Sequence, residues 1–436
     1  MNRTINDNGQ LLIGGIPAKE IADAYGTPVY VYDVDRIRRN ARAFVQTFRE
    51  HEIPAQVAYA SKAFSSIAML QVAKEEGLSL DVVSEGELHT ALEAEFPVEK
   101  IHMHGNNKSL AELDMAVEAE IGCIVVDNFY EIALLSELVE QKNSTMDVLL
   151  RVTPGIEAHT HDYILTGQED SKFGFDLSSG QAEQAYKLLH DNNRLHVKGL
   201  HCHIGSQIFE TSGFTLATQK LFATMNDWRE KFQFTAEVLN LGGGFGIQYT
   251  EEDDPLALDQ YALALIEEVK LQSSNMDHPM PEIWIEPGRA IVGDAGVTLY
   301  TLGAIKDIPG VRTYVSVDGG MTDNIRPALY QAKYDAVLAN RMDESRAREY
   351  AIAGKCCESG DMLLWDIELP EVEHNDLLAV FSTGAYGYSM ANNYNRFGKA
   401  AVVFIENGMH QLVVRRENYQ EVTRLDLTYN NQGELK

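Results

Sequence analysis

Eight short apolar runs recur between residues 55 and 288, and a longer helical pattern separates most of them. They read "AQVAYAS", "LSLDVVS", "KIHMHG", "GCIVVDN", "MDVLLRV", "VKGLHCHIG", "EVLNLGG" and "EIWIEPG". Short β-branched runs of this kind suit parallel strands buried on both faces. Between them, stretches such as "SSIAMLQVAKEEG" and "SLAELDMAVEAEIG" place apolar residues three and four apart and end in glycine. That is the pattern of helices with one apolar face and a glycine past the last turn. Eight strand–helix units in succession predict an α/β fold, a (β/α)8 TIM-type barrel over residues 35–285. The remainder, 1–34 and 286–436, differs. "AGVTLYTLGAIKDI", "RTYVSVDGG", "DLLAVFSTGAY" and "AAVVFIEN" have strand character with turns between them. They predict a mainly antiparallel β-domain, which the N-terminal "TPVYVYD" is expected to join.

Charge narrows the partners. The chain carries 36 basic and 65 acidic residues, a formal net charge of −29. Nucleic acid and anionic membrane both select clustered Lys and Arg, so neither is expected. No apolar run reaches the roughly 18 residues of a membrane span. The N-terminus lacks the charged start and apolar stretch of a signal peptide. The four cysteines, Cys123, Cys202, Cys356 and Cys357, form no CxxC pair. A reduced, cytoplasmic setting is the expectation.

In such a barrel, chemistry gathers at the C-terminal ends of the strands. The predicted ends carry Lys62, Asp81 with Ser84 and Glu87, His102 with His104, Asp127, Arg151, His201 with His203 and Ser206, Gly242 to Gly244, and Glu286 with Gly288 and Arg289. Each residue has two readings. Lys62 is either a solvated lysine past a strand or a Schiff-base lysine, whose desolvated amine would have a lowered pKa. The glycines of "LGGGFG" form either a tight turn or a phosphate cradle, to which Ser206 could add a hydroxyl. The pairs His102/His104, His159/His161 and His201/His203, each spaced by two, admit a metal reading, but a single histidine stacked on a flat cofactor needs only one of them. Glu286 either pairs with Arg289 or aims at a ring nitrogen. Cys357 and Glu358 in "KCCESGD", and Arg326 and Tyr330 in "DNIRPALY", are either packing and surface residues or a thiol and a carboxylate-binding pair. A lysine, a phosphate cradle, a stacking histidine and a ring-nitrogen acid are together what pyridoxal phosphate requires.

Seven ordered segments, "YASKA", "HCHIGSQI", "NLGGGFG", "IEPGR", "DGGMTDNIRPALY", "CCESGD" and "TGAYGYSMANNYN", resemble those of the diaminopimelate decarboxylases. These are fold type III pyridoxal-phosphate enzymes of the alanine racemase-like barrel class. Residues 157–175 resemble a further loop of that family. The resemblance implies pyridoxal 5'-phosphate bound covalently through Lys62, with His203 on the ring and Glu286 on its nitrogen. It implies that Ser206, Gly242, Gly243, Gly244 and Tyr386 hold the phosphate, with Gly288 and Arg289 also contacting the cofactor. Arg289, Arg326, Tyr330, Glu358 and Tyr386 would bind the substrate, meso-diaminopimelate, and Cys357 would be the proton donor. No metal is implied. Cys357 and Glu358 would come from the second subunit of a homodimer with shared active sites. Asp81 and Arg151 match a supporting ion pair in related decarboxylases. The implied reaction is decarboxylation to L-lysine and CO2, the last step of lysine biosynthesis.

One departure stands out. Where the family has an Arg-Pro-Arg-Pro-like stretch after "YN", this chain has Arg396-Phe397-Gly398-Lys399, which is expected to alter loop stiffness because the prolines are missing. Competing readings are decarboxylases of ornithine, arginine or carboxynorspermidine, an alanine racemase, a non-catalytic pyridoxal-phosphate carrier, and a metal-dependent hydrolase. "CESGD" and Glu286 weigh against the first three.

Overall fold

The predicted apolar runs become strands β1 (Ala55–Ala60), β2 (Ser79–Val82), β3 (Ile101–Met103), β4 (Cys123–Val126), β5 (Met146–Thr153), β6 (Leu195–His201), β7 (Val238–Asn240) and β8 (Glu282–Ile285). The computed structural model describes residues 3–156 and 171–429. All eight strands pair in parallel with their sequence neighbours, and β8 closes the barrel on β1 with Ile283 opposite Ala55 and Ile285 opposite Val57. Cys123, Val125, Leu149, Val238 and Trp284 form a buried cluster within it.

The helices that follow the first four strands start where short polar side chains can cap them. Ser66 accepts from Met69 N–H and Ser84 from Glu87 N–H. Ser109 and Glu112 form a reciprocal capping box, and Asn128 accepts from Glu131 N–H. Each cap satisfies an N–H that the first turn leaves over. The chain therefore turns into its helix within a few residues of leaving β1 to β4, which keeps their C-terminal ends close to one surface.

The chain divides into two compact units. One comprises Val34–Ala295 with Gly384–Ser389, and the other 3–33, 296–383 and 390–429. Residues 286–295 and 384–389, expected in the β-domain, thus belong to the barrel unit. Short-range bonds hold them there: Tyr386 N–H donates to Ala63 O at 2.8 Å, and Gly384 N–H to Gly293 O at 3.1 Å. A segment separated by some ninety residues from its neighbours carries no local sequence signal of that return.

The second unit is built on a seven-strand path in the order Met362–Leu369, Arg348–Ala353, Arg312–Val317, Gly296–Ile308, Val29–Asp33, Ala401–Glu406, Met409–Val414. Val29–Asp33, from "TPVYVYD", sits in its interior, antiparallel to Gly296–Leu299 and parallel to 401–405. Only two of the pairings are parallel, Arg312–Val317 with Arg348–Ala353 being the other. No helix among the described residues is long and apolar enough to cross a membrane.

One buried ion pair ties barrel strand ends together. Lys108 Nζ lies 2.8 Å from Glu131 Oε1 and also donates to Gly105 O and Val125 O. Glu131 Oε2 accepts from Asp127 N–H. Lys108→Ala should lower unfolding free energy by about 3–5 kcal/mol, because it strands a buried carboxylate. Lys108→Met with Glu131→Leu should recover most of that loss. Urea titration checks both, and a double variant no more stable than Lys108→Ala would show that the loss is packing rather than charge.

Candidate active site

The amine and the carboxylate that the sequence singled out both fall in the barrel unit. Lys62 lies in a short 3-10 turn, Ser61–Ala63, directly after β1. The backbone around it is pinned: Ala60 N–H donates to Pro287 O, and Ala63 O accepts from Tyr386 N–H and Ser389 Oγ. The Lys62 side chain remains solvent-accessible within this surround of protein. Its pKa was expected to be lowered, and the structure reverses that. Desolvation pulls the amine down, but Tyr386, Asp81 and Glu286 push it up further, so the net shift is upward. A phenol contributes only once ionised, so at neutral pH the two carboxylates carry the effect.

Glu286 follows β8 and turns its carboxylate into the barrel. Asn240 Nδ2 donates to Oε1 at 2.7 Å, and His201 Nε2 to Oε2 at 3.2 Å. His104 Nε2 lies 3.1 Å from Oε1 in an ion-pair contact that is not aligned as a hydrogen bond. Burial alone would push the carboxyl up, but His104 and His201 hold it well below the usual carboxylate range. His104 is itself raised: burial opposes its charge, and Asp81 and Glu286 prevail. His201 is pushed down to about 4 by burial, which its bond to Glu286 only partly offsets. His102, stacked on Trp284 with ring centres 4.1 Å apart, falls to about 3 by burial. The ligand atoms of His104, His201 and Glu286 lie within 4.8 Å of one another. Their close contacts pair an N–H with a carboxylate oxygen, so the group already forms a polar network.

Beyond β6 and β7 the chain makes a glycine-lined turn. Gly243 N–H donates to His203 Nδ1 at 3.2 Å, which leaves that nitrogen unprotonated. Burial, Lys62 and Arg151 keep His203 neutral, well below its ordinary value. A Cβ on Gly243 would come within 2.1 Å of Glu286 O, and one on Gly244 within 2.2 Å of Gly205 O, so side chains are excluded at both. Of the three glycine N–H groups, Gly242 is used by Asn240 Oδ1 and Gly243 by His203. Arg289 donates to Ser206 Oγ at 3.0 Å and to the Tyr249 hydroxyl, and its guanidinium lies 4.9 Å from the Tyr386 ring centre. Tyr386 takes a left-handed backbone, φ 62°, which is uncommon for a bulky residue. Gly288 stands at the N-terminus of the short helix Arg289–Val292, against Ala60.

Other expectations land elsewhere. Asp81 and Arg151 do not form an ion pair. Arg151 lies 3.7 Å from Asp127 and over the Phe173 ring, while Asp81 faces His104 at 3.7 Å. Strand order explains this, since β5 and β4 are neighbours and β5 and β2 are not. His159 and His161 lie outside the described residues. Arg326, Tyr330, Cys357 and Glu358 all belong to the second unit. Arg326 lies over the Tyr330 ring in the helix Arg326–Tyr330. Asp361 accepts from Met321 N–H at 2.6 Å and Cys356 N–H at 2.8 Å, joining the two segments that carry these residues. Cys357 is exposed, and its N–H donates to Asn395 Oδ1 at 2.8 Å. Cys356 is buried, and burial pushes its thiol up to about 12. In the proline-free Arg396–Lys399 stretch, Arg396 pairs with Asp426, Lys399 N–H donates to Glu417, and Lys355 lies over the Phe397 ring.

The residue set fits a phosphorylated aldehyde cofactor: an accessible amine, an ionised buried carboxylate, a neutral imidazole, and a cation with a hydroxyl beside a side-chain-free turn. A model of the pyridoxal-dependent decarboxylases, pyridoxal binding domain, matches residues 34–293. A diaminopimelate decarboxylase of Bacillus subtilis is 62% identical over 424 residues, 97% of each chain. The chain belongs to the diaminopimelate decarboxylase family. The M. jannaschii diaminopimelate decarboxylase in co-complex with L-lysine superposes with a TM-score of 0.92 at 34% identity, covering 98% of both chains. A lysine/ornithine decarboxylase of Vibrio vulnificus shares the fold, with a TM-score of 0.75 at 21% identity over 90% of this chain and 97% of its own.

Reasoning from sequence placed His104 and His201 at strand ends without joining them to Glu286, and it missed Asn240. The signal was present as polar residues inside apolar strands. Their shared target was not, because it lies on a different strand.

Stability should fall on acidification. His102 and His201 are lowered from 6.5 to about 3 and about 4, so the unfolded chain binds more protons between those values. Stability therefore rises with pH through that window, by an amount on the order of several kcal/mol. Glu286, lowered, adds the same sign below its ordinary value, while Asp81, raised, offsets part of it. His104 works oppositely, and only above 6.5. Urea midpoints measured across the window check this. His102→Phe, which keeps the stack on Trp284, should flatten the slope, and a flat wild-type profile would contradict the assignment.

Proposed function

We propose that this protein decarboxylates meso-2,6-diaminopimelate to L-lysine and CO2, with pyridoxal 5'-phosphate as cofactor, as the last step of lysine biosynthesis. The observation that carries the reading is a buried Glu286, held in its ionised form by His104 and His201, in the same unit as Lys62. Family membership over nearly the whole chain supports it. Lys62 Nζ is the group for covalent attachment. Its raised pKa means that it must shed a proton first, and the charges of Asp81 and Glu286 favour the protonated amine.

Glu286 would face the ring nitrogen and keep a proton there, and His203 would cover the ring. Gly242, Gly243 and Gly244, with Ser206, Gly288, Arg289 and Tyr386, would hold the phosphate end. Bound at this site, the cofactor supplies an electron sink for the charge left when CO2 departs. Arg289, Arg326, Tyr330, Glu358 and Tyr386 would hold the substrate. The carboxylate, amine and second centre at its distal end are what distinguish it from ornithine or arginine, because a site built to bind them rejects substrates that leave its buried polar groups unpaired. Cys357 Sγ would donate the proton to the α-carbon. The pairing of Cys357 and Glu358 with a partner's barrel, in a homodimer with shared active sites, belongs to this proposal, as does a cytoplasmic location.

Purified protein with pyridoxal phosphate should form lysine from meso-diaminopimelate and give no amine product from ornithine or arginine. Absence of lysine from a preparation that carries the cofactor's absorbance would overturn the substrate assignment. Glu286→Ala should retain most of the cofactor and lose about a hundredfold or more in kcat. Wild-type kcat in that variant would end the electron-sink role of Glu286.

A further inference from the structure

Two buried carboxylates share the barrel interior, Asp81 from β2 and Glu286 from the end of β8. Like charges inside a low-dielectric interior cannot both stay ionised without a cation between them. Arg151 is not that cation, since it lies against Asp127. Lys62 acts on both carboxylates through its charge, yet it forms no ion pair with either among the described residues. His104 remains. Its Nε2 is 3.1 Å from Glu286 Oε1 and 3.7 Å from Asp81 Oδ1, and the whole residue is buried.

We propose that His104, seated between Asp81 and Glu286, is a positioning residue that keeps Glu286 ionised and aimed at the ring nitrogen. The inference rests on the reading of Glu286 given above. Geometry supports a division of labour around that carboxylate. Oε1 receives the charge of His104 and the N–H of Asn240, and Oε2 receives the N–H of His201. Donors on both oxygens fix one rotamer. The charged groups acting on His104 are Asp81 from β2, Glu286 just after β8 and Arg151 from β5. Its neighbour His102 on β3 and the edge-on ring of His201 from β6, 5.0 Å away, complete the surround. The two carboxylates outweigh burial and the charge of Arg151, and the direction for His104 is upward. His201, with only one carboxylate partner, goes the other way. The position between two acids, rather than burial, separates the two imidazoles.

The test begins with the cofactor-free full chain labelled with nitrogen-15 histidine. His104→Gln assigns its signal. One imidazole should stay doubly protonated above about pH 7, the upper edge of the ordinary range, and Asp81→Asn should return it to or below that range. Detection of no such imidazole overturns the proposal, independently of any activity. In the loaded enzyme, His104→Gln should keep the cofactor absorbance and KM within about twofold while kcat falls about tenfold, with the pH profile of kcat displaced. Asp81→Asn acts from the opposite side without touching Glu286, and should move both readouts the same way. It also serves if His104→Gln does not fold. The double variant should lose no more than the worse single variant, as expected for residues acting through one another. Glu286→Gln separates the two readings. Wild-type kcat in Glu286→Gln sinks the role of Glu286 itself. A crippled Glu286→Gln beside wild-type kcat and pH profile in both His104→Gln and Asp81→Asn sinks only the positioning role.

Discussion

An ionised carboxylate in a barrel interior must find its counter-groups on strands far from it in sequence, and the arrangement around Glu286 follows from that requirement. Removing the charge from water costs several kcal/mol unless donors replace the water. The barrel supplies them from β3, β6 and β7 through His104, His201 and Asn240. Register makes this possible. His201 lies opposite Asn240 and Arg151, and His102 opposite Asp81. The polar residues thus form a layer at one end of the barrel, while Cys123, Val125, Leu149, Val238 and Trp284 pack together as an apolar cluster.

That same layer changes what Lys62 is. A lysine in a protein recess suggests a depressed pKa, and desolvation does act in that direction. Two nearby carboxylates reverse the outcome. The amine is thus held as an ammonium, and in the function proposed above the Glu286 charge would both face the ring nitrogen and restrain the nucleophile. The net acidity of the whole chain has little bearing on this, because the site gathers its own cations in Lys62, Arg289 and Arg151.

The second unit holds its candidate residues through backbone hydrogen bonds. Asp361 binds the N–H groups of Met321 and Cys356, and Asn395 binds that of Cys357. Residues 318–330 and 355–361, distant in sequence, are thereby held in one arrangement. Gly354 and Gly320 lie so near the Asp361 carboxylate that a Cβ on either would collide with it. The proline-free stretch at 396–399 is joined to the 417–426 segment by hydrogen bonds of Arg396 to Asp426 and of Lys399 N–H to Glu417.

Local pattern was enough for the barrel. Continuous apolar runs, three-four helical spacing and Ser or Asn caps are short-range signals, and six of the eight strands lie within their predicted runs, while β5 extends to Thr153 and β6 starts at Leu195, before its run. The placement of Lys62, Glu286 and the glycine turn at strand ends was legible for the same reason. Tertiary structure alone decided the pairings. It gave Arg151 to Asp127 instead of Asp81, returned Tyr386 to the barrel unit, and set His104 between two acids. These are contacts between residues tens to hundreds of positions apart. Their energies depend on distance and burial, which a one-dimensional pattern does not encode, so the sequence named the charged groups while the fold determined which of them would meet and which would carry a proton.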